Sequence, residues 1–179
     1  RIEQIVLLPA IGLTAALLPI IAQNYGAAAY QRVSRALMVC LSIGLASMAI
    51  TCPILWFGAK YAMGLFTQNP EVIEAGVGYL RIDGVILPAY LALFALNSFL
   101  QGLKKPIWAF WIGVYRQGIG VPVFIYAFVT LFDFGVLGVW YGQAASVLTG
   151  LLLSVIVTHV VAVPLIGGIF PMRHAKMGV

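Results

Sequence analysis

The sequence predicts an all-α fold, a polytopic bundle of about five membrane-spanning helices. Three observations carry that expectation. First, 63% of the 179 residues are hydrophobic and only 8% are charged, whereas a soluble domain carries about 25% charged residues. A soluble core cannot hold so much apolar surface, so lipid must solvate part of it. Second, the apolar residues come in long uncharged runs. Gly84 to Leu103 is one, ended by Lys104-Lys105-Pro106; twenty residues at helical rise span about 30 Å, the thickness of a bilayer's hydrocarbon. Third, five spans sort the charges between the runs onto two sides. Arg32, Arg35, Lys104, Lys105, Arg173 and Lys176 fall on one, and Arg1, Lys60, Arg81 and all five acids on the other. One span more or fewer would scramble that sorting. The positive-inside rule then puts the C-terminus in the cytoplasm.

The spans follow in order. The first covers about residues 4–23; Pro9 and Pro19 lie within it and are expected to bend it. A polar connector, Asn24 to Arg35, leads to the second span, about residues 36–59. Trp56, Lys60 and Tyr61 form an interfacial anchor at its end. Asn69-Pro70-Glu71 is a helix start, with Asn69 as N-cap, proline at the first position and acids near the positive dipole end. From there a third helix runs over about residues 71–103, roughly 50 Å, so its first turns should lie in the headgroup zone. Pro88 bends it, and Tyr90, Asn97, Ser98 and Gln101 put polar groups into it. Such groups are costly in hydrocarbon and usually face other helices or a wet cavity.

The fourth span, about residues 107–131, holds the only charge deep in an apolar run, Arg116, beside Gln117 and ahead of Pro122. Asp133 sits in a short turn. The fifth span, about residues 135–158, carries small residues at Gly138, Gly142, Ser146, Gly150 and Ser154. This spacing permits close helix approach, but it drifts about 40° per step, so only about three of them should share one contact. Residues 160–172 are apolar but too short to span, and read as an interfacial or terminal extension.

Several function classes drop out. Cys40 and Cys52 lie about 18 Å apart on one helix, too far for a disulfide. His159 and His174 have no Cys or carboxylate at ligand spacing, so no metal site is expected. No Ser–His–Asp set, paired carboxylates or phosphate loop appears, and an enzyme is not expected. The basic residues act as topology determinants, so no nucleic-acid partner is expected. The chain starts at Arg1 without Met and without a signal peptide, as a fragment or a processed product would.

The order of motifs resembles a known family. Arg1-Ile2-Glu3, Leu8-Pro9-Ala10 and Ala22-Gln23-Asn24-Tyr25-Gly26-Ala27 with Arg32 resemble the eighth helix of MATE (multidrug and toxic compound extrusion) exporters, particularly the DinF-like branch. Asn69-Pro70-Glu71-Val72-Ile73 and Gly78-Tyr79-Leu80-Arg81-Ile82 resemble the start of the tenth helix, and Leu100-Gln101-Gly102 with Pro106 its end. Arg116-Gln117 with Pro122 resembles the eleventh. The resemblance implies a twelve-helix, two-lobe secondary antiporter of the bacterial inner membrane. It would export cationic or amphipathic compounds in exchange for Na+ or H+. This chain would be helices eight to twelve, the C-terminal lobe, with the N-terminal lobe, a small-molecule substrate and membrane lipids as partners. No other cofactor is implied. NorM-like members carry an acid where this chain has Tyr90, twelve residues before Gly102. DinF-like coupling is assigned to an acid on the first helix. Both place the coupling ion mainly outside these residues.

The candidate cavity residues are Tyr90, Asn97, Gln101, Arg116, Gln117 and Glu3. Tyr90, Asn97 and Gln101 share a helix face and either line a cavity or bond neighbouring helices. Arg116 either meets an anionic group or snorkels toward the headgroups. Glu3 with Arg1 is either a mouth site or an interfacial ion pair. Asp83 is either a cation ligand or, beside Arg81, a boundary charge. Pro9, Pro19, Pro88 and Pro122 are hinges or static kinks. The rival readings are a flippase for lipid-linked sugars, which asks for a more cationic cavity, and a non-transporting membrane scaffold, in which the polar face meets no water.

Overall fold

The computed structural model describes residues 2–169, with side chains from Gln4 onward. These residues form five long helices and no strand. The first is Ile2–Gly26, the second Tyr30–Gly64 and the third Pro70–Gly102. The fourth is Pro106–Leu131 and the fifth Gly135–Ile166. Each is long and apolar enough to cross a membrane.

The third helix stands at the centre. Of its apolar window 56% is buried, against 11 to 33% for the other four. It packs on the first, second and fifth helices along its length, and on the fourth. One core cluster joins Leu17, Ile21, Val33, Leu37, Leu96 and Phe99 near the Gly102 end. A second joins Leu7, Met48, Leu55, Leu80, Leu87 and Leu91 near the Pro70 end. A third, with Ile86, Leu93, Leu100, Ile112 and Val147, ties the centre to the fourth and fifth helices. The outer faces show Phe57, Tyr61, Leu65 and many other large apolar side chains, the surface a bilayer solvates.

Local chemistry sets the ends. Asn69 Oδ1 accepts the Glu71 N–H at 3.0 Å and Pro70 takes the first position, so the third helix starts where the sequence places it. Pro106 takes the first position of the fourth, here without a side-chain cap. The turns after the first, third and fourth helices are tight. Each puts one non-glycine residue in the left-handed region: Ala28 (φ 54°), Lys104 (φ 60°) and Asp133 (φ 55°).

Three expectations need correction. The connector is short: the second helix begins at Tyr30, so Arg32 and Arg35 stand on its first turns and not in a loop. Residues 160–166 are not a separate extension. They continue the fifth helix through Pro164, because Ala162 packs fully buried in the core, and the helix ends at Gly167 with φ 83°. Four small residues of the fifth helix, not three, meet the fourth. A Cβ on Gly138 or Gly142 would press on the backbone of Phe128 or Ile125; Ser146 bonds the Arg116 carbonyl, and Gly150 faces the Arg116 stem. Ridges of i±4 residues run obliquely, and a neighbour crossing obliquely can follow the drift.

The fourth helix holds a feature the sequence did not announce. Residues Val114–Gly120 and Ala127–Leu131 are π-helical. Pro122 sits just after the first π segment. Its ring would strike the carbonyl four residues back in a regular helix, and a wider turn relieves that clash. Pro9, Pro19 and Pro88, by contrast, lie inside uninterrupted α-helices.

Candidate functional site

The π turn presents Arg116 to the third and fifth helices. The Val121 N–H reaches back to the Arg116 carbonyl, which also accepts from Ser146 Oγ at 2.7 Å. The arginine stem lies along Gly150, where an added Cβ would meet Cγ and Cδ at 3.2 Å. A methyl there would push the stem aside by a few tenths of an ångström. The guanidinium carbon then stands 5.7 Å from the ring centroid of Tyr90 on the third helix, within reach for cation–π attraction. Gln143 of the fifth helix donates from Nε2 to the Tyr90 hydroxyl at 2.8 Å. Phe94 leans on the same tyrosine, ring centroids 6.2 Å apart. Three helices thus place a cation, an amide and a phenol together inside an apolar bundle.

The remaining candidates divide. Asn97 is half-buried, and its Oδ1 is enclosed with no hydrogen-bond partner among the described residues. Gln101 and Gln117 are exposed. Pro88 is half-buried two residues from Tyr90; Pro9, Pro19 and Pro122 are exposed. The side chain of Glu3 lies outside the described residues, as do Arg1 and residues 170–179. Of the six cavity candidates, the structure brings Tyr90 and Arg116 into contact.

Asp83 is no solvated boundary charge. It is 3% exposed. Arg81 is exposed and lies over Trp56 of the second helix at 5.7 Å. Residues two apart on a helix are about 200° apart around it, so neighbours in sequence face opposite ways. Two residues of the site were not singled out from the sequence as polar contacts. Gln143 stands among the small residues of the fifth helix, and an amide in an apolar run is the signal that marks it. Ser146 was read only as a packing residue, and nothing local reveals that its hydroxyl meets a carbonyl thirty residues away.

The MatE family model matches residues 1–126 of this chain. The chain belongs to the MatE family. Its sequence is 35% identical over 105 residues to an FAD transporter of Shewanella oneidensis; the match covers 58% of this chain and 22% of that protein. Its fold is similar to that of a multidrug resistance MATE family transporter of the MOP superfamily solved in an inward-facing conformation. There the TM-score is 0.87 at 18% identity, covering 92% of this chain and 38% of the other. The chain therefore spans well under half the length of either relative. Both are transporters and neither is an enzyme. The family match includes Tyr90 and Arg116 and ends at Tyr126, before Gln143.

Proposed function

We propose that this chain is the C-terminal lobe of a DinF-like MATE exporter, its five helices standing as the eighth to the twelfth. The lobe would work with an N-terminal lobe as a secondary antiporter, exporting amphipathic or cationic compounds in exchange for Na+ or H+ by alternating access. The observation that carries this reading is the junction of Tyr90, Arg116 and Gln143 between three helices. Polar groups that converge inside a membrane bundle mark a substrate path more often than a lipid-facing wall. The chain's match to 38% of a transporter fits a lobe-sized piece. The charge sorting fits a cytoplasmic C-terminus in a bacterial inner membrane.

Cysteine accessibility tests it. Single cysteines at positions 90, 97 and 101 go into the full-length transporter with Cys40 and Cys52 replaced. An impermeant thiol reagent is expected to label position 97 or 101, with substrate protection and with a change when a Na+ or pH gradient is applied. Labelling at none of the three from either side, with no gradient-driven flux, would favour a scaffold. Flux of lipid-linked sugars without ion coupling would favour the flippase, for which Arg116 is the one supporting residue.

A further inference from the structure

Arg116 carries a charge that the described protein does not neutralise. It stands ten residues into the fourth helix, about 15 Å along the axis, and it is half-buried. Among the described residues its charged head lies over the Tyr90 ring. No carboxylate among the described residues lies within ion-pair distance of it. Asp83 is seven residues along the third helix from Tyr90, about 10 Å of rise away. A guanidinium removed from water asks for an anion or several acceptors. Snorkelling would answer that only if the stem were free to swing. Here the stem lies on Gly150, the carbonyl is tied to Ser146, and the head rests on a tyrosine held by Gln143. With the head over that ring, its planar donors match a phosphate or carboxylate bidentately.

We propose that Arg116, with Tyr90 and Gln143, forms a cargo subsite for an anionic oxygen group, a phosphate or carboxylate borne by an amphipathic compound. Arg116 binds the anion. Tyr90 and Gln143 hold the guanidinium in place. This rests on the transport reading and adds the charge class of the cargo, an anionic group on an amphipathic compound where the family resemblance implies cationic or amphipathic ones. The shared chemistry leaves two sources for the anion, a soluble cargo or a lipid headgroup, and the test separates them.

The test uses the full-length transporter and a matched pair of probes, riboflavin and riboflavin 5′-phosphate, followed by flavin fluorescence. In phosphate-free maltoside micelles the wild type is expected to bind the phosphate ester at least about tenfold more tightly, the scale of one charge-assisted contact. Arg116→Gln and Arg116→Met should both erase that preference; the second keeps the stem on Gly150 should the first fail to fold. Arg81→Gln should leave it intact. The preference should persist in phosphatidylglycerol nanodiscs. Equal binding of the two flavins by the wild type overturns the subsite, and so does a preference that survives in either Arg116 variant. A preference present in micelles but lost in the nanodiscs assigns the guanidinium to lipid phosphate and overturns the cargo site. Gradient-driven efflux of a cationic dye from proteoliposomes is measured alongside. Efflux without phosphate preference sinks the subsite and leaves the transport reading standing; absence of any driven flux, of dye or flavin, sinks that reading itself.

Discussion

Two seams flank the central helix, and they are built differently. The seam with the second helix is side chain on side chain. A Cβ added at Gly44 would press on the Leu91 methyls, and one at Gly76 on the end of Met63. The seam between the fourth and fifth helices is backbone on backbone. A Cβ on Gly142 would sit 2.7 Å from the Ile125 nitrogen, and one on Gly138 would sit 2.8 Å from the Phe128 carbonyl carbon. The first seam is sealed by leucines and methionine; the second carries the serine bond to the Arg116 carbonyl. Each seam also has an arginine nearby over an aromatic ring at 5.7 Å. Arg81 makes its contact exposed, and Arg116 makes its contact half-buried. The same contact has a different meaning in the two places. An exposed arginine keeps its hydration, whereas one inside an apolar run must find replacements for it. Flexible side chains make a seam forgiving, while backbone contact makes it exact in register and intolerant of added atoms.

The largest expected difference between the seams comes from one methyl group. Gly142→Ala should lower stability by about 2 kcal/mol, because the Ile125 backbone cannot yield as a side chain can. Gly76→Ala should be neutral or stabilising by up to about 1 kcal/mol, since the Met63 tip can turn away and alanine is the better helix former. Thermal unfolding of the full-length protein in micelles reads both. Equal shifts would erase the distinction between the seams.

Hydroxyl removal should give a smaller contrast. Ser146→Ala leaves the Arg116 carbonyl with the Val121 N–H alone and should cost about 1 kcal/mol. Ser47 bonds only the Gly44 carbonyl of its own helix, at 2.7 Å, and Ser47→Ala should stay within about 0.5 kcal/mol. A cost at Ser47 matching that at Ser146 would show that the link between helices adds nothing. The smallest effect is expected at the exposed arginine: Arg81→Met should change unfolding by no more than about 0.5 kcal/mol and leave ligand preference untouched. For Arg116→Met, relief of a half-buried charge should offset the lost ring contact to within about 1 kcal/mol, so its main consequence should be in binding. A large stability loss there would make Arg116 a structural residue first.

Much of the architecture was legible. Apolar runs of bilayer length located all five helices, because hydrocarbon disfavours charge and enforces backbone hydrogen bonding along the whole segment. Asn69-Pro70 marked a helix start, since caps act within four residues. The ends marked by composition alone were poorer. Arg32 and Arg35 read as loop yet begin a helix, and residues 160–166 read as an appendage yet complete one. Polar composition does not stop a helix that has turned into the headgroup zone, and one proline does not stop a helix whose last turn is packed.

The site was legible only in part. Arg116 and Tyr90 stood out singly, as polar groups in apolar runs. Their meeting, the glycine track for the arginine stem and the Gln143 bond depend on which faces of three helices oppose one another. Asp83 shows the same limit from the other side: beside Arg81 in sequence, it turns inward while Arg81 turns out. The sequence by itself determined that this chain lives in lipid, how many helices it makes and which residues are too polar to ignore, because solvation free energy is written residue by residue. Only the tertiary structure decided the central place of the third helix, the π turn ahead of Pro122 and the company that Arg116 keeps, because these follow from helix packing between residues far apart in the chain.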